Sequence, residues 1–310
     1  MNFQSQIQCY LWLKNTYWLN EDNSKTAKPV APWQVNVYTL DVYKKNINII
    51  YCGTETGYIN KSIDGGKNWE MMAKDYVFSN VEAVTIHPEN PQIVYASGGS
   101  QIHKTTDGGY TWETKLKEGA YFSANHIIID PTNHNKLLVS SDKGIFMSLD
   151  AGNTWSQKSS KKAYDIHFKT DDSSYIYAIV ENNSYFQLLQ SLDGGENFEP
   201  ISTFPSNIND ASGALIAVTA SNPNLIYATM LSSDNTPFLY KGVLTDTTWT
   251  WTKAIDCNTD TFRYDNGQGY FDLVLEISPT NENHVFVGTT TLFKTINGAA
   301  SFDAIGGYFG

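Results

Sequence analysis

Arginine is nearly absent from this chain. Arg263 is the only one in 310 residues, and Lys and Arg together number 21 against 32 Asp and Glu, a formal net charge of −11. Nucleic-acid phosphates are gripped by clustered Lys and Arg, so a nucleic-acid partner is excluded. Cysteine is equally scarce. Cys9, Cys52 and Cys257 are too few and too scattered for a disulfide framework, and none belongs to a CxxC pair that would hold zinc or exchange thiols. Cys52 reads as a buried strand residue. No apolar run approaches the about 18 residues of a membrane span. The amino terminus, MNFQSQIQCYLWLKN, lacks the basic-then-apolar order of a signal peptide. Neither membrane insertion nor an export address within this stretch is therefore expected. There is no GxSxG elbow, P-loop or HExxH, and the six histidines do not fall at metal-ligand spacings. No cofactor and no metal is expected.

What the chain does have is a repeat. SIDGGKNW at 62–69 returns as TTDGGYTW, SLDAGNTW and SLDGGENF, which places Asp64, Asp107, Asp150 and Asp193 at a constant interval of 43 residues. A fixed period of roughly 40–45 residues marks an architecture whose unit is one supersecondary module, unable to bury its apolar face alone. Hydrophobic residues make up 41% of the chain and aromatic residues 14%, enough for a sizeable core.

Within each unit the pattern is strand, turn, strand, repeated. Residues 83–99, AVTIHPENPQIVYASGG, read as a hairpin around a Pro and Asn turn, and QIHKTTDGGYTWETKL adds two strands around the boxed turn. Units fall over 35–70, 84–116, 126–158, 165–201, 215–254 and 273–305, with second strands in NIIYCG, QIVYAS, KLLVSS, YIYAIV, NLIYAT and HVFVGT. The fifth has lost its box to GVLTDTTWTW, and the sixth keeps TINGAASF, with Asn297 in place of the aspartate. Four-stranded antiparallel units at this period predict an all-β protein, a β-propeller with six visible blades and boxed turns between strands 3 and 4. Residues 1–33 fit no repeat and read as an extension and linker, with the propeller over 34–310. The stop at SFDAIGGYFG, right after the last fourth strand, suggests a piece of a longer chain and an incomplete seven-bladed ring.

The boxed residues have a structural role in this reading. Each aspartate can accept N–H bonds from its own turn, and Gly66, Gly109, Gly152 and Gly195 allow positive φ. Trp69, Trp112, Trp155 and Phe198 bury a ring beside the turn. A feature copied once per blade serves the blade rather than catalysis. Phe78, Tyr121 with Phe122, Tyr164, and Tyr270 with Phe271 also recur, and they read as packing between blades or as the lining of a glycan groove.

The pattern S/T-x-D-x-G-x-x-W/F is the Asp-box, or BNR repeat, and these copies resemble those of Asp-box propellers. That superfamily includes sialidases, sortilin-type receptors, photosystem assembly factors and xyloglucan-degrading endoglucanases. HPENPQIVYA and DPTNHNKLLV are most similar to the endoglucanases and to secreted bacterial propellers of the sortilin-like and glycosyl-hydrolase-like kind. The resemblance spans about residues 34–305 and implies an extracellular or cell-surface protein. It implies function only loosely, since one scaffold carries many activities.

Sialidase is disfavoured, because that family grips a carboxylate with three arginine forks and this chain has one arginine. Inverting glycosidases use two carboxylates about 6.5–9.5 Å apart. As the resemblance implies, one catalytic Asp of the xyloglucanases follows the second strand of the first blade and its partner comes from a second propeller. YCGTETGYINKS puts Glu55 at that place. Asp272 is the second candidate carboxylate.

Departures confined to one blade are free to carry chemistry. DCNTDTFRYDNGQGYFD, 256–272, lengthens one link between units and clusters Arg263, Asp265, Asn266, Gln268, Tyr270 and Asp272, with Tyr264 interleaved. Acid, amide and aromatic groups on a Gly-flanked loop suit a polyol, or they close the ring upon themselves. Its acidic spacing does not follow an EF-hand. The function expected is a binding module for a glycan or protein partner, with a glycoside hydrolase and a ligand-free scaffold as alternatives. His87 and Asp130, each before a proline, read as turn residues.

Overall fold

A computed structural model describes residues 37–73, 78–117, 122–205, 210–232, 237–256, 273–289 and 291–307. The terminal extension, the linker and the loop 257–272 lie outside them. Among the described residues there is no helix; 24 strands form six four-stranded antiparallel sheets, each in simple sequence order. The fold is an all-β propeller of six blades.

The first blade is β1 (Val37–Val42), β2 (Ile50–Thr54), β3 (Ile59–Ser62) and β4 (Glu70–Met72). The second is β5 (Val84–Ile86), β6 (Val94–Gly98), β7 (Gln101–Thr105) and β8 (Glu113–Lys117). The third is β9 (Ala124–Ile129), β10 (Leu137–Ser141), β11 (Gly144–Ser148) and β12 (Ser156–Ser159). The fourth is β13 (Ala163–Phe168), β14 (Ile176–Asn182), β15 (Tyr185–Ser191) and β16 (Glu199–Pro200). The fifth is β17 (Asp210–Thr219), β18 (Asn222–Ser232), β19 (Pro237–Thr245) and β20 (Thr248–Asp256); the sixth is β21 (Val274–Ile277), β22 (Val285–Gly288), β23 (Thr291–Thr295) and β24 (Asp303–Gly307). The chain divides into two compact units, 1–157 and 158–310, each built around three blades.

Second strands are apolar without alternation because both their faces are covered. Every residue of β2, β6 and β10 is buried, Cys52 among them, whereas β12 is exposed or half-buried throughout. In the first unit one core joins Tyr51, Ile59 and Phe78 to Val84, Ile86 and Val94, and the next joins Tyr95 and Ile102 to Phe122, Ile127 and Val139. In the second unit Tyr177, Phe186 and Leu188 pack on Ile216, Ile226 and Trp249, and Leu225, Tyr227 and Leu239 pack on Ile277, Val285 and Val287. Phe78, Phe122 and Tyr164 are thus core residues between blades; Tyr121, Tyr270 and Phe271 lie outside the described residues.

First strands leave an open edge whose polar groups need partners. Side chains from the preceding blade supply them. The Asp41 carboxylate accepts the N–H of Ile86 at 2.7 Å and that of Val42 at 2.8 Å, and Asp165 accepts from Ile216 at 3.0 Å and Ile166 at 2.9 Å. Burial raises the Asp41 carboxyl above its usual value, against the lowering effect of the Ile86 bond and the nearby Lys44 charge.

The boxed turns join third to fourth strands. In the first blade the Asp64 carboxylate accepts the Ser62 hydroxyl at 2.9 Å, the Asn68 N–H at 2.9 Å and the Asn68 amide at 2.6 Å. The Trp69 indole then donates to the Gly66 carbonyl at 2.8 Å. Asp107 with Trp112 and Asp150 with Trp155 repeat the set. Asp193 keeps the carboxylate bonds, to Ser191 and Asn197, beside Phe198. The N–H and amide of Asn197 and the Ser191 hydroxyl lower the Asp193 carboxyl to about 2. In the sixth blade Asn297 accepts from the Thr295 hydroxyl at 2.8 Å and the Ser301 N–H at 3.0 Å. Gly109, at φ 100°, faces Met72 of the first blade, which a Cβ would approach to 3.2 Å. The turn therefore serves packing between blades as well as its own hairpin.

Candidate functional site

Each box is tied to the first turn of its own blade. Gly65 donates to the Asn48 carbonyl at 3.0 Å, Gly108 to Gln92 at 2.9 Å, Ala151 to Asn135 at 2.8 Å, Gly194 to Ser174 at 2.8 Å and Gly298 to Asn283 at 3.0 Å. Turns after first and third strands thus share one end of each blade. Because the strands are antiparallel, turns after second strands and links between blades lie at the other end. Each boxed carboxylate takes its hydrogen bonds from donors within its own turn.

The link end of the first unit holds a concavity of about 260 Å³. Three segments build it: the link before β5, with Ser79, Asn80 and Glu82; the turn from β6 to β7, Gly98–Gln101; and the entry to β9, with Phe122 and Ser123. Backbone bonds seat the link, with Phe78 donating to the Gly57 carbonyl at 3.0 Å and Val81 to the Thr54 carbonyl at 3.0 Å. On its other side the link presses on Gly98, where a Cβ would come within 2.6 Å of Phe78 and 2.7 Å of the Asn80 carbonyl. Only glycine allows that approach. Ser79 and Ser100, at φ 74° and 65°, occupy the left-handed region on either side of the concavity. Strained positions of this kind gather at ligand sites.

Glu82 is the charged group of the site. Asn80 donates its amide to one carboxylate oxygen at 2.5 Å, and the Ser123 hydroxyl donates to the other. The Asp142 carboxylate in turn accepts the Ser123 N–H at 2.8 Å. Among the described residues no cation pairs with Glu82, while Asp142 pairs with Lys143 at 3.5 Å. Beneath the pocket, burial holds His103 below its usual value, only partly opposed by its hydrogen bond to the Gly98 carbonyl, so the ring is neutral near pH 7.

Glu55 stands exposed on the turn from β2 to β3 at the same end of the first blade. Arg263, Asp265, Asn266, Gln268, Tyr270 and Asp272 lie outside the described residues. His87 and Asp130 act within turns: His87 Nδ1 accepts the Glu89 N–H at 3.1 Å, and Asp130 accepts the N–H of Thr132 at 2.8 Å and of Asn133 at 3.1 Å.

Sequence reasoning overlooked Glu82, yet a signal was present. Val84 pairs with Ala96, Ile127 with Val139 and Ile166 with Ala178, the third residue of each second strand, so the slot two places earlier reads Glu82, Asn125 and Tyr164 in successive blades. An acid at that slot occurs in one blade alone of the three, the kind of departure that also singled out 256–272.

No protein-family model and no curated protein matches the sequence. Solved structures do match in fold. A GH74 enzyme from Niastella koreensis superposes with a TM-score of 0.68 at 18% identity, covering 86% of this chain and 46% of the enzyme. The GH74 xyloglucanase from Xanthomonas campestris gives 0.66 at 14% identity, covering 85% and 45%. YCF48 from Cyanidioschyzon merolae gives 0.61 at 15% identity, covering 89% and 86%. YCF48 bound to the D1 peptide is similar as well, at 0.60 and 14% identity, with 88% of this chain and 81% of that one covered. The chain spans less than half the length of these GH74 enzymes. At such identities the likeness shows the β-propeller fold.

Proposed function

We propose that this protein is a binding module of the Asp-box propeller superfamily, akin to its secreted sortilin-like and xyloglucanase-like members. It acts at the cell surface or outside the cell, and its ligand face is the link end of the blades. One observation carries the reading: the Glu82 carboxylate, held from two sides by neutral donors, faces a polar concavity assembled from three separate segments. Convergent polar groups in a preformed hollow bind and orient a ligand. The partner is a protein or a glycan, in keeping with the peptide-bound YCF48 and the GH74 enzymes that share the fold.

The test sets the chain against immobilised soluble polysaccharides and an extracellular protein fraction, reading retention and release of reducing ends together. Retention without release, weakened by Glu82→Ala, supports the module. Failure of every retention assay overturns it.

A second reading is a glycoside hydrolase of the xyloglucanase type. It is favoured by the GH74 likeness and by Glu55 on the turn after β2. Release of reducing ends from xyloglucan, abolished by Glu55→Ala or Asp272→Ala, would establish it in place of the first.

A further inference from the structure

We infer that the concavity at Glu82 takes the basic side chain of a peptide segment, an arginine guanidinium above all. The inference rests on the binding-module reading and names the chemistry of its ligand.

The first argument is charge. Both Glu82 oxygens are engaged by neutral groups, the Asn80 amide and the Ser123 hydroxyl, which orient the carboxylate without neutralising it. A carboxylate offers about four lone-pair sites, so acceptor capacity remains on each oxygen. No lysine or arginine lies among the described residues lining the pocket, and the histidine beneath it is neutral. The chain as a whole carries −11. An anionic ligand, whether an acidic sugar or a phosphate, is repelled, and a cation is drawn in.

The second argument is the donor and acceptor balance. Asn80 commits its Nδ2 to Glu82, which leaves its carbonyl oxygen to accept. A guanidinium, with five donors and no acceptor, matches a carboxylate backed by an amide oxygen; a sugar hydroxyl needs donors and acceptors together. Gln101 shows the reverse polarity. Its Oε1 accepts the Thr114 hydroxyl at 3.0 Å, so its Nε2 is left to donate, which suits the backbone carbonyl of the residue whose side chain is bound. The two polarities sit in one hollow of about 260 Å³, and a peptide residue presents both complements at once.

Titration followed by amide resonances of the whole chain tests this, with N-acetyl-arginine methylamide and its uncharged citrulline counterpart as probes. The arginine probe should move the Gln101 and Ser123 amides saturably, with the citrulline probe weaker by about tenfold or more, as loss of a charge-assisted pair implies. Glu82→Gln, which keeps shape and hydrogen-bonding reach, should weaken the arginine probe by a similar factor while leaving the melting temperature in place. If that variant fails to fold, the comparison of the two probes on the unaltered chain decides alone. Equal affinity for the two probes, unchanged binding by a folded Glu82→Gln variant, or no saturable response to arginine overturns the inference. A neutral xyloglucan oligosaccharide is titrated in parallel. Should it move the same amides while arginine does not, the cationic ligand is lost and the binding module stands; silence from all three probes, with no retention of any polysaccharide or protein, removes both.

Discussion

The fourth and fifth blades close their outer hairpins by different means. In the fourth, a boxed turn spans from β15 to β16, and Asp193 gathers the Ser191 hydroxyl and both nitrogens of Asn197. In the fifth, β19 and β20 pair up to Thr245 and Thr248 with Asp246 and Thr247 alone between them, Asp246 at φ 55°. The tight turn lets the strands run on: β18 has 11 residues and β20 has 9, against 2 in β16. Aromatic rings fill the place of the box. Trp249 and Trp251 stack at 5.6 Å, Phe204 meets Trp251 edge-on at 5.0 Å, and Tyr177 meets Trp249 edge-on at 5.7 Å.

The exchange has a polar cost. In the first two blades, second-strand tyrosines donate into the aspartate box of the next blade, whereas Tyr227 of the fifth blade, beside the Asn297 turn, has a buried hydroxyl with no partner among the described residues. Tyr51 reaches the Gly108 carbonyl at 3.0 Å, and Tyr95 reaches Ala151 at 2.9 Å. Tyr177 stands in the same place in the fourth blade, but the fifth offers no box. Its hydroxyl, like the indole N–H groups of Trp249 and Trp251, is buried with no partner among the described residues. The aspartate boxes of the second and third blades satisfy their neighbours' tyrosines through specific geometry, whereas the aromatic stack replaces the apolar area of a box and leaves its donors stranded.

The largest effect should come from breaking the stack. Trp249 is 4% exposed, and Trp249→Ala should cost about 3–5 kcal/mol by urea denaturation, the range for truncating a buried Trp. Trp69→Ala, at a half-buried box position, should cost clearly less; equal losses would mean the stack is no substitute for a box. Tyr→Phe substitutions should then differ in sign. Tyr177→Phe removes a stranded hydroxyl and should gain about 1–3 kcal/mol, while Tyr51→Phe deletes satisfied bonds and should lose about 1 kcal/mol. Losses at both sites would show that Tyr177 has a partner after all.

Acid should act on the aspartate boxes. The Asp193 carboxyl lies at about 2 in the folded chain against an ordinary 3.8. A depressed folded value means that the stabilisation is whole above 3.8 and is lost as pH falls through about 2. Asp193→Asn should therefore flatten the fall in stability over that window, and an unchanged acid profile would contradict the hydrogen-bond account. Smallest is Ala151→Gly. Ala151 sits at φ 57° where other boxes have glycine, and relief of that strain, less the greater chain entropy of glycine, should raise stability by roughly 0.5 kcal/mol.

The boxes and second strands were legible because their information is local: four residues of turn chemistry, or an apolar run covered on both faces. Glu82 was harder to see, since a single glutamate before a strand reads as solvent-facing until Asn80 and Ser123 are known to hold it. The stranded Tyr177 could not be read at all. TDTTWTW shows that the box is gone, but not that a tyrosine about seventy residues earlier had depended on it.

The sequence by itself determined the 43-residue period, the hairpin geometry of each box and the four-stranded unit, because turn preference and apolar patterning act within a few residues of chain. Only the tertiary structure decided which turns meet across blades, which polar groups find donors there and where a pocket opens. Those outcomes depend on contacts between residues 41 to 56 positions apart, such as Glu82 with Ser123 or Tyr95 with Ala151, and no local preference encodes them.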